Sequence, residues 1–285
     1  MPEAQFKIEA LRGLPPDADP VQAWHSLRKV LRGSRFHGWK AAVKQIERRG
    51  VGEAGSYSDL IDGLVTAYVE GAGKPEARSW IDDTPSNKNF LPTLFDLFPE
   101  ARAIHIVRDG RAVAASVMKR DWGPNTVLTA AYGWVGHLSL GLAAELILPP
   151  ARIRRVHYEV LVRRPKETLV ELCRWLDLEY SDRMLDSRFY TVDSRSATFN
   201  PLTTSAPRDD RADAWRKELS PRQIEMFEAE SREMLRYLGY AMDYGPHARE
   251  ASLAEKSRMG IAEAWQGGGQ AIAFRARRWL WMRRR

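Results

Sequence analysis

The chain reads as an α/β protein with a mostly parallel sheet covered on both faces by helices. Three observations predict this. A short apolar run at 103–107 leads directly into helical spacing, and 152–157 reads as a second strand. Strand and helix signals alternate along the chain, as parallel sheets require. The 285 residues suffice for one sizeable core with a small appendage.

Residues 12–20 are rich in Pro and Asp and read as a loop. Pro20 to Arg32 and Gly38 to Arg49 carry helical spacing with Trp, Leu and Lys. Ser56 to Glu70 forms a third helix, with Leu60, Leu64, Ala67 and Tyr68 on one side. Gly71 to Pro75 breaks it. A short strand is expected over Ser79 to Asp82, ending at Asp82-Asp83-Thr84-Pro85. Asn87 to Phe98 predicts a helix that turns Phe90, Leu91, Leu94, Phe95 and Phe98 inward, and Pro99 stops it.

The strand at 103–107 and a helix over 109–119 follow, then a loop at Asp121-Trp122-Gly123-Pro124. A long apolar helix covers Thr126 to Leu148 and closes at Pro149-Pro150. Arg152 to His157 is the next strand, and Pro165 opens a helix to Leu176. Residues 186–214 lack periodicity, so a functional lid or disorder is expected there. Ser220-Pro221-Arg222-Gln223 starts a capping-box helix that ends at Gly239. The domain is expected to span 1–245, with a basic tail over 246–285.

Composition narrows the function. The single cysteine, Cys173, excludes a disulfide framework, and no His/Cys/carboxylate spacing suits a metal. The opening residues lack a signal-peptide pattern, which leaves the cytoplasm as the expected location. Residues 258–285 hold seven Arg and one Glu, +6 of the net +7, so the rest of the chain is only +1. A basic tail is therefore expected in place of a nucleic-acid face. Within it, residues 271–285 mix six Arg with Ile272, Phe274, Trp279, Leu280, Trp281 and Met282. Either a peripheral contact with an anionic membrane or a disordered arginine-rich end fits that pattern.

The chemistry concentrates at Arg108-Asp109-Gly110-Arg111, where the apolar strand turns into a helix. Asp109 can cap that helix, whose free amides suit an anion. Arg108 leaves the strand at the same point, and Ser116 lies about two turns into the helix. An Arg fork, helix-end amides and a hydroxyl make a phosphate cradle. The plain alternative is an Arg108–Asp109 pair at a surface turn.

The neighbours of this turn carry a resemblance. Upstream stands Trp80-Ile81-Asp82-Asp83-Thr84-Pro85-Ser86-Asn87. Downstream stand Val156-His157-Tyr158-Glu159-Val160-Leu161 with Pro165, then Arg211-Ala212-Asp213-Ala214-Trp215-Arg216-Lys217. In order and spacing these segments resemble the sulfotransferases that use 3′-phosphoadenosine 5′-phosphosulfate (PAPS). The resemblance implies a P-loop-like three-layer fold and transfer of a sulfuryl group from PAPS to a hydroxyl or amine. The acceptor could belong to a glycan, peptide, lipid or small molecule. It implies no metal, and it assigns the donor's 3′-phosphate to Arg108 and Ser116. Arg111 is a further candidate, or a solvated first-turn residue. Arg211, Trp215 and Lys217 resemble a late loop closing over the nucleotide, with core packing as the equal alternative for Trp215. Tyr158 and Glu159 match a Tyr-Glu-x-Leu pattern and are expected to brace the site. His105 reads as a satisfied core histidine.

Two departures stand out. Asp83 occupies a position where the family often carries Lys, so Lys88 or an upstream residue would have to supply that cation. No Gly-x-x-Arg-Ser-Gly-Thr-like loop for the 5′-phosphosulfate occurs, so the fold is expected to lack its first strand. The segment Pro2-Glu3-Ala4-Gln5-Phe6 resembles the stretch after that loop, which makes Glu3 the candidate catalytic base. The chain would then be an N-terminally truncated form, with about 25–35 residues belonging upstream, one strand–loop–helix unit. The rival readings are a catalytically inactive nucleotide-binding pseudoenzyme and a membrane-recruited scaffold. A P-loop kinase relative is disfavoured because no Gly-x-x-x-x-Gly-Lys-Ser/Thr occurs.

Overall fold

A computed structural model describes residues 17–32, 37–50, 54–74, 76–77, 79–83, 85–120, 123–186, 188 and 209–264. The chain divides into two compact units, Met1–Arg102 and Ala103–Arg285.

In the first unit, α1 (Pro20–Arg32), α2 (His37–Arg49) and α3 (Tyr57–Gly71) are the three helices that the apolar spacing predicts. Trp24, Leu27, Val43, Ile46, Leu60 and Leu64 are buried together between them. Ser56 caps α3 by accepting the Asp59 N–H at 3.1 Å. The strand expected at 79–82 is absent; residues 79–83 carry no regular structure. Trp80 instead packs edge-on against Phe98, with centroids 5.6 Å apart. The helix expected over 87–98 is split into a 3-10 turn, Pro85–Asn89, and α4, Leu91–Leu97. Pro92 explains the split, because it lacks an N–H and constrains the residue before it.

In the second unit, β1 (Ala103–Val107) leads to α5 (Gly110–Val117) and α6 (Val127–Ile147), and the chain returns as β2 (Ile153–His157). The two strands pair in parallel, Ala103 with Ile153 through Val107 with His157. The fold is α/β, as the sequence predicts. Among the described residues the sheet has these two strands. Next come α7 (Tyr158–Arg163), α8 (Pro165–Leu176), α9 (Trp215–Glu218), α10 (Pro221–Tyr237) and α11, helical over 253–264. The capping box predicted at Ser220 and Gln223 is formed.

The core of this unit lies where α5, α6 and α10 meet. Val107, Ala131, Trp134, Phe227 and Leu235 are buried there. Gly110 is required by that packing. A Cβ at this position would stand 2.5 Å from both Phe227 and Trp134, so any side chain would force the helices apart. By length and composition α6 is apolar enough to cross a membrane. Its buried Leu128, Trp134 and Leu138 make it a core helix of this unit.

Residues 246–264, expected in the tail, make contacts with the second unit. Ala248 and Ala251 are buried. On α11, Glu263 accepts the Asn125 and Thr126 N–H groups at 3.0 and 2.9 Å, closing the start of α6. Residues 246–264 are thus part of the second unit. The amphipathic pattern at 271–285 lies outside the described residues.

Candidate functional site

Arg108 and Arg111 leave the same turn and meet opposite surroundings. Asp109 caps α5, accepting the Arg111 N–H at 2.9 Å. The same carboxylate holds the Arg111 guanidinium at 3.0 and 2.7 Å. Arg111 also donates to Glu228 at 2.5 Å and to the Ala241 carbonyl at 2.7 Å. Its guanidinium lies 4.0 Å from the Trp215 ring centroid, and the residue is 1% exposed. Arg111 is therefore an interior residue tied to two carboxylates, and the phosphate role expected for it is not supported by its placement. The surface-turn pair of Arg108 with Asp109 does not form either, because Asp109 is committed to Arg111. Asp109 takes one amide of the first turn of α5, that of Arg111.

Arg108 is half-buried at the end of β1. Its guanidinium carbon lies 4.3 Å from the Tyr158 ring centroid, and its Nη2 donates to the Arg211 carbonyl at 3.1 Å. Its Nε is buried and has no hydrogen-bond partner among the described residues. Behind it, Trp134 Nε1 donates to the Arg108 carbonyl at 3.0 Å, which fixes the end of the strand. Tyr158 and Glu159 brace the turn, as expected. Glu159 accepts the Asp109 N–H at 2.9 Å and the Tyr240 hydroxyl at 3.1 Å. Burial, with the Glu159 carboxylate beside it, pushes the Tyr240 hydroxyl well above the usual tyrosine range. Tyr240 stays protonated and serves as a donor.

The structure brings Arg211 to Arg108 through the backbone. The Arg211 side chain faces Glu218, 3.7 Å away. Ser116 is half-buried on α5, in the unit that holds Arg108. Trp215 is 1% exposed, between the guanidinium groups of Arg111 and Arg216, with centroid distances of 4.0 and 4.3 Å. That placement favours packing over a closing role. Lys217 is exposed on α9. Glu3 lies outside the described residues. Lys88 is in the first unit, on the 3-10 turn Pro85–Asn89, and burial lowers its pKa.

Sequence reasoning missed Glu228. It is fully buried and accepts from Arg111 and from the Asp243, Tyr244 and Gly245 N–H groups. A signal was available, since Glu228 falls on the buried stripe with Ile224, Phe227, Ser231 and Leu235. A carboxylate on an apolar face needs a buried partner. His105 is satisfied, as expected, but is only partly buried. Its Nδ1 is 2.5 Å from Glu145, which Arg155 also grips. Among the described residues no group of His, Cys, Asp and Glu is arranged to hold a metal ion.

The arrangement can bind an anion. Arg108 offers a fork donor with a buried, unused N–H, backed by an aromatic ring and braced by Glu159. Its position at the carboxyl end of a parallel strand is where open α/β sheets bind ligands.

Comparison with known proteins supplies the family. Residues 15–182 match the model of the Sulfotransferase family. The chain is 28% identical over 222 residues to nodulation protein NoeE of Sinorhizobium fredii (strain NBRC 101917 / NGR234), covering 69% of this chain and 52% of that protein. It spans about half the length of the first curated relatives it matches. Among solved structures, the sulfotransferase domain from the curacin biosynthetic pathway aligns with a TM-score of 0.56 at 16% identity, over 83% of this chain and 84% of that one. The sulfotransferase domain from the Synechococcus PCC 7002 olefin synthase aligns with a TM-score of 0.56 at 22% identity, over 74% of this chain and 73% of that one. At such identities these two likenesses speak for the fold, while the family match covers more than half of the chain. The protein belongs to the sulfotransferase family.

Proposed function

We propose that this chain transfers a sulfuryl group from PAPS to a hydroxyl or amine acceptor, and that Arg108 and Ser116 grip the donor's 3′-phosphate. The buried Arg108 Nε without a partner is the observation that carries this reading. An unused guanidinium N–H inside a protein is costly unless a ligand takes it. A phosphate oxygen suits it, because the fork geometry of Arg matches phosphate. PAPS supplies the activated sulfuryl group. The protein's part is positioning and charge, as in phosphoryl transfer. Tyr158 packs against the Arg108 guanidinium, Glu159 holds the turn, and the Arg211 carbonyl meets Arg108. Glu3 is the base in this reading, so Glu3→Gln abolishes turnover while sparing nucleotide binding. The acceptor is an alcohol or amine of undefined body. The arginine-rich segment 271–285 serves as an anionic membrane contact, which vesicle flotation at rising salt tests.

Titration calorimetry on the full chain tests the donor assignment. Adenosine 3′,5′-bisphosphate (PAP) should bind more tightly than adenosine 5′-phosphate, and Arg108→Ala should remove most of the difference. Equal affinities, unchanged by Arg108→Ala, would overturn the assignment. A parallel assay with radiolabelled PAPS and mixed acceptors reads transfer; binding without transfer favours a nucleotide-binding pseudoenzyme.

A further inference from the structure

The turn Asp209–Arg211 and the residues after it are held by a side chain that the donor reading leaves unassigned. Arg163, at the end of α7, reaches Asp209 with Nε at 3.0 Å and Asp213 with Nη2 at 2.8 Å. The two aspartates flank Arg211, whose carbonyl receives Arg108 Nη2 at 3.1 Å. The turn closes on itself through the Ala212 N–H to the Asp209 carbonyl at 2.9 Å, and Ala212 is buried. Fixing Asp209 and Asp213 therefore fixes where the Arg211 carbonyl stands.

The same short helix braces the other side of Arg108. Glu159 and Arg163 are four residues apart on α7, which places them on one face. Glu159 takes the Asp109 N–H and Arg163 takes the turn. One helix thus sets the end of β1 against the segment that meets it. Lys119 adds an ion pair to Glu218 at 2.9 Å, further along that segment.

We infer that Arg163 is a positioning residue of the donor site, a two-point clamp that holds the 209–213 turn against Arg108 and so sets the affinity for a nucleotide 3′-phosphate. The inference rests on the donor reading above. Arg163 itself touches no ligand in it. Its ion pairs are exposed, so each has a modest effect and is sensitive to salt. The consequence is a graded loss of affinity, not loss of the fold.

The test is calorimetry with PAP and adenosine 5′-phosphate on the full chain. The wild type is compared with Arg163→Ala, Arg163→Lys, the pair Asp209→Ala with Asp213→Ala, and the triple variant. Arg163→Ala should weaken PAP by up to about fivefold, the scale of two exposed ion pairs, with adenosine 5′-phosphate unchanged. Arg163→Lys should recover part of this, because an ammonium can meet only one aspartate well. In the background lacking both aspartates, Arg163→Ala should have no further effect. A wild-type chain without preference for PAP overturns the donor reading and the clamp with it. A wild-type chain with that preference, matched by Arg163→Ala, overturns the clamp alone. So does an undiminished Arg163 effect in the aspartate-free background. If Arg163→Ala fails to fold, the double aspartate variant carries the same test, because it releases the turn from the other side.

Discussion

Arg108 and Arg111 stand three residues apart on one turn, and their surroundings divide the labour of the second unit. Arg111 is enclosed by Asp109, Glu228, the Ala241 carbonyl and the Trp215 ring. Arg108 meets one ring and one carbonyl, and its Nε is left over. A guanidinium saturated by the protein holds elements together, whereas the one with an unused buried donor is the one the donor proposal assigns to a phosphate. The comparison teaches that residue type and spacing mark both positions alike, and that the count of partners separates them.

The largest effect should come from the saturated side. Arg111→Ala leaves Asp109 and Glu228 as buried carboxylates without their cation, a change on the scale of 3–5 kcal/mol of stability, about the margin of many domains. Urea unfolding of the full chain measures it. A loss below about 1 kcal/mol would show that the interior ion cluster is not what holds α5 to α10. Next comes the open side. Arg108→Ala should weaken PAP by roughly 2–4 kcal/mol and leave stability nearly intact. Ser116→Ala should cost PAP about 1 kcal/mol, the value of one hydroxyl hydrogen bond. A Ser116→Ala variant that binds PAP as the wild type does removes Ser116 from the cradle.

The smallest expected effect concerns pH. Glu225 is hydrogen-bonded by Arg249 and, against the cost of burial, by Arg222, and its carboxyl titrates down at about 2 instead of 4.5. Glu255, held by Arg222 and by Ser252, is lowered in the same direction. A depressed carboxylate pKa contributes stability that is complete above pH about 4.5 and is withdrawn as pH falls toward 2. The link between α10 and residues 249–255 should therefore loosen in that acid range, read by hydrogen exchange over 249–264. Glu225→Gln should flatten the dependence; an unchanged profile would place the acid sensitivity elsewhere, with Glu145 the next carboxylate to examine.

Much of this comparison was legible in the sequence. The helices at Pro20, Pro165 and Pro221 begin where the prolines and caps put them, and both strands fall within a residue of where the sequence places them. Asp109 as a cap and Tyr158-Glu159 as a brace were also readable. The 79–82 segment was misread because Trp80 satisfies its burial by meeting Phe98 and needs no strand partner. The fate of Arg111 could not be read from spacing, because it depends on Glu228 and Trp215, both more than a hundred positions away. Only the packing of α10 on α5 brings that carboxylate in. The segment 246–264 reads as tail because its anchors are single side chains, Glu255 and Glu263, without an apolar stripe to announce them.

The most direct measurement compares Arg108→Ala and Arg111→Ala side by side, scoring each for urea stability and for the ratio of PAP to adenosine 5′-phosphate affinity. Arg108→Ala should lose the ratio and keep the stability. Arg111→Ala should lose stability, and in whatever fraction stays folded it should keep the ratio. The opposite pattern, with the ratio following Arg111 and the stability following Arg108, would contradict the division between a saturated interior arginine and an open ligand-binding one.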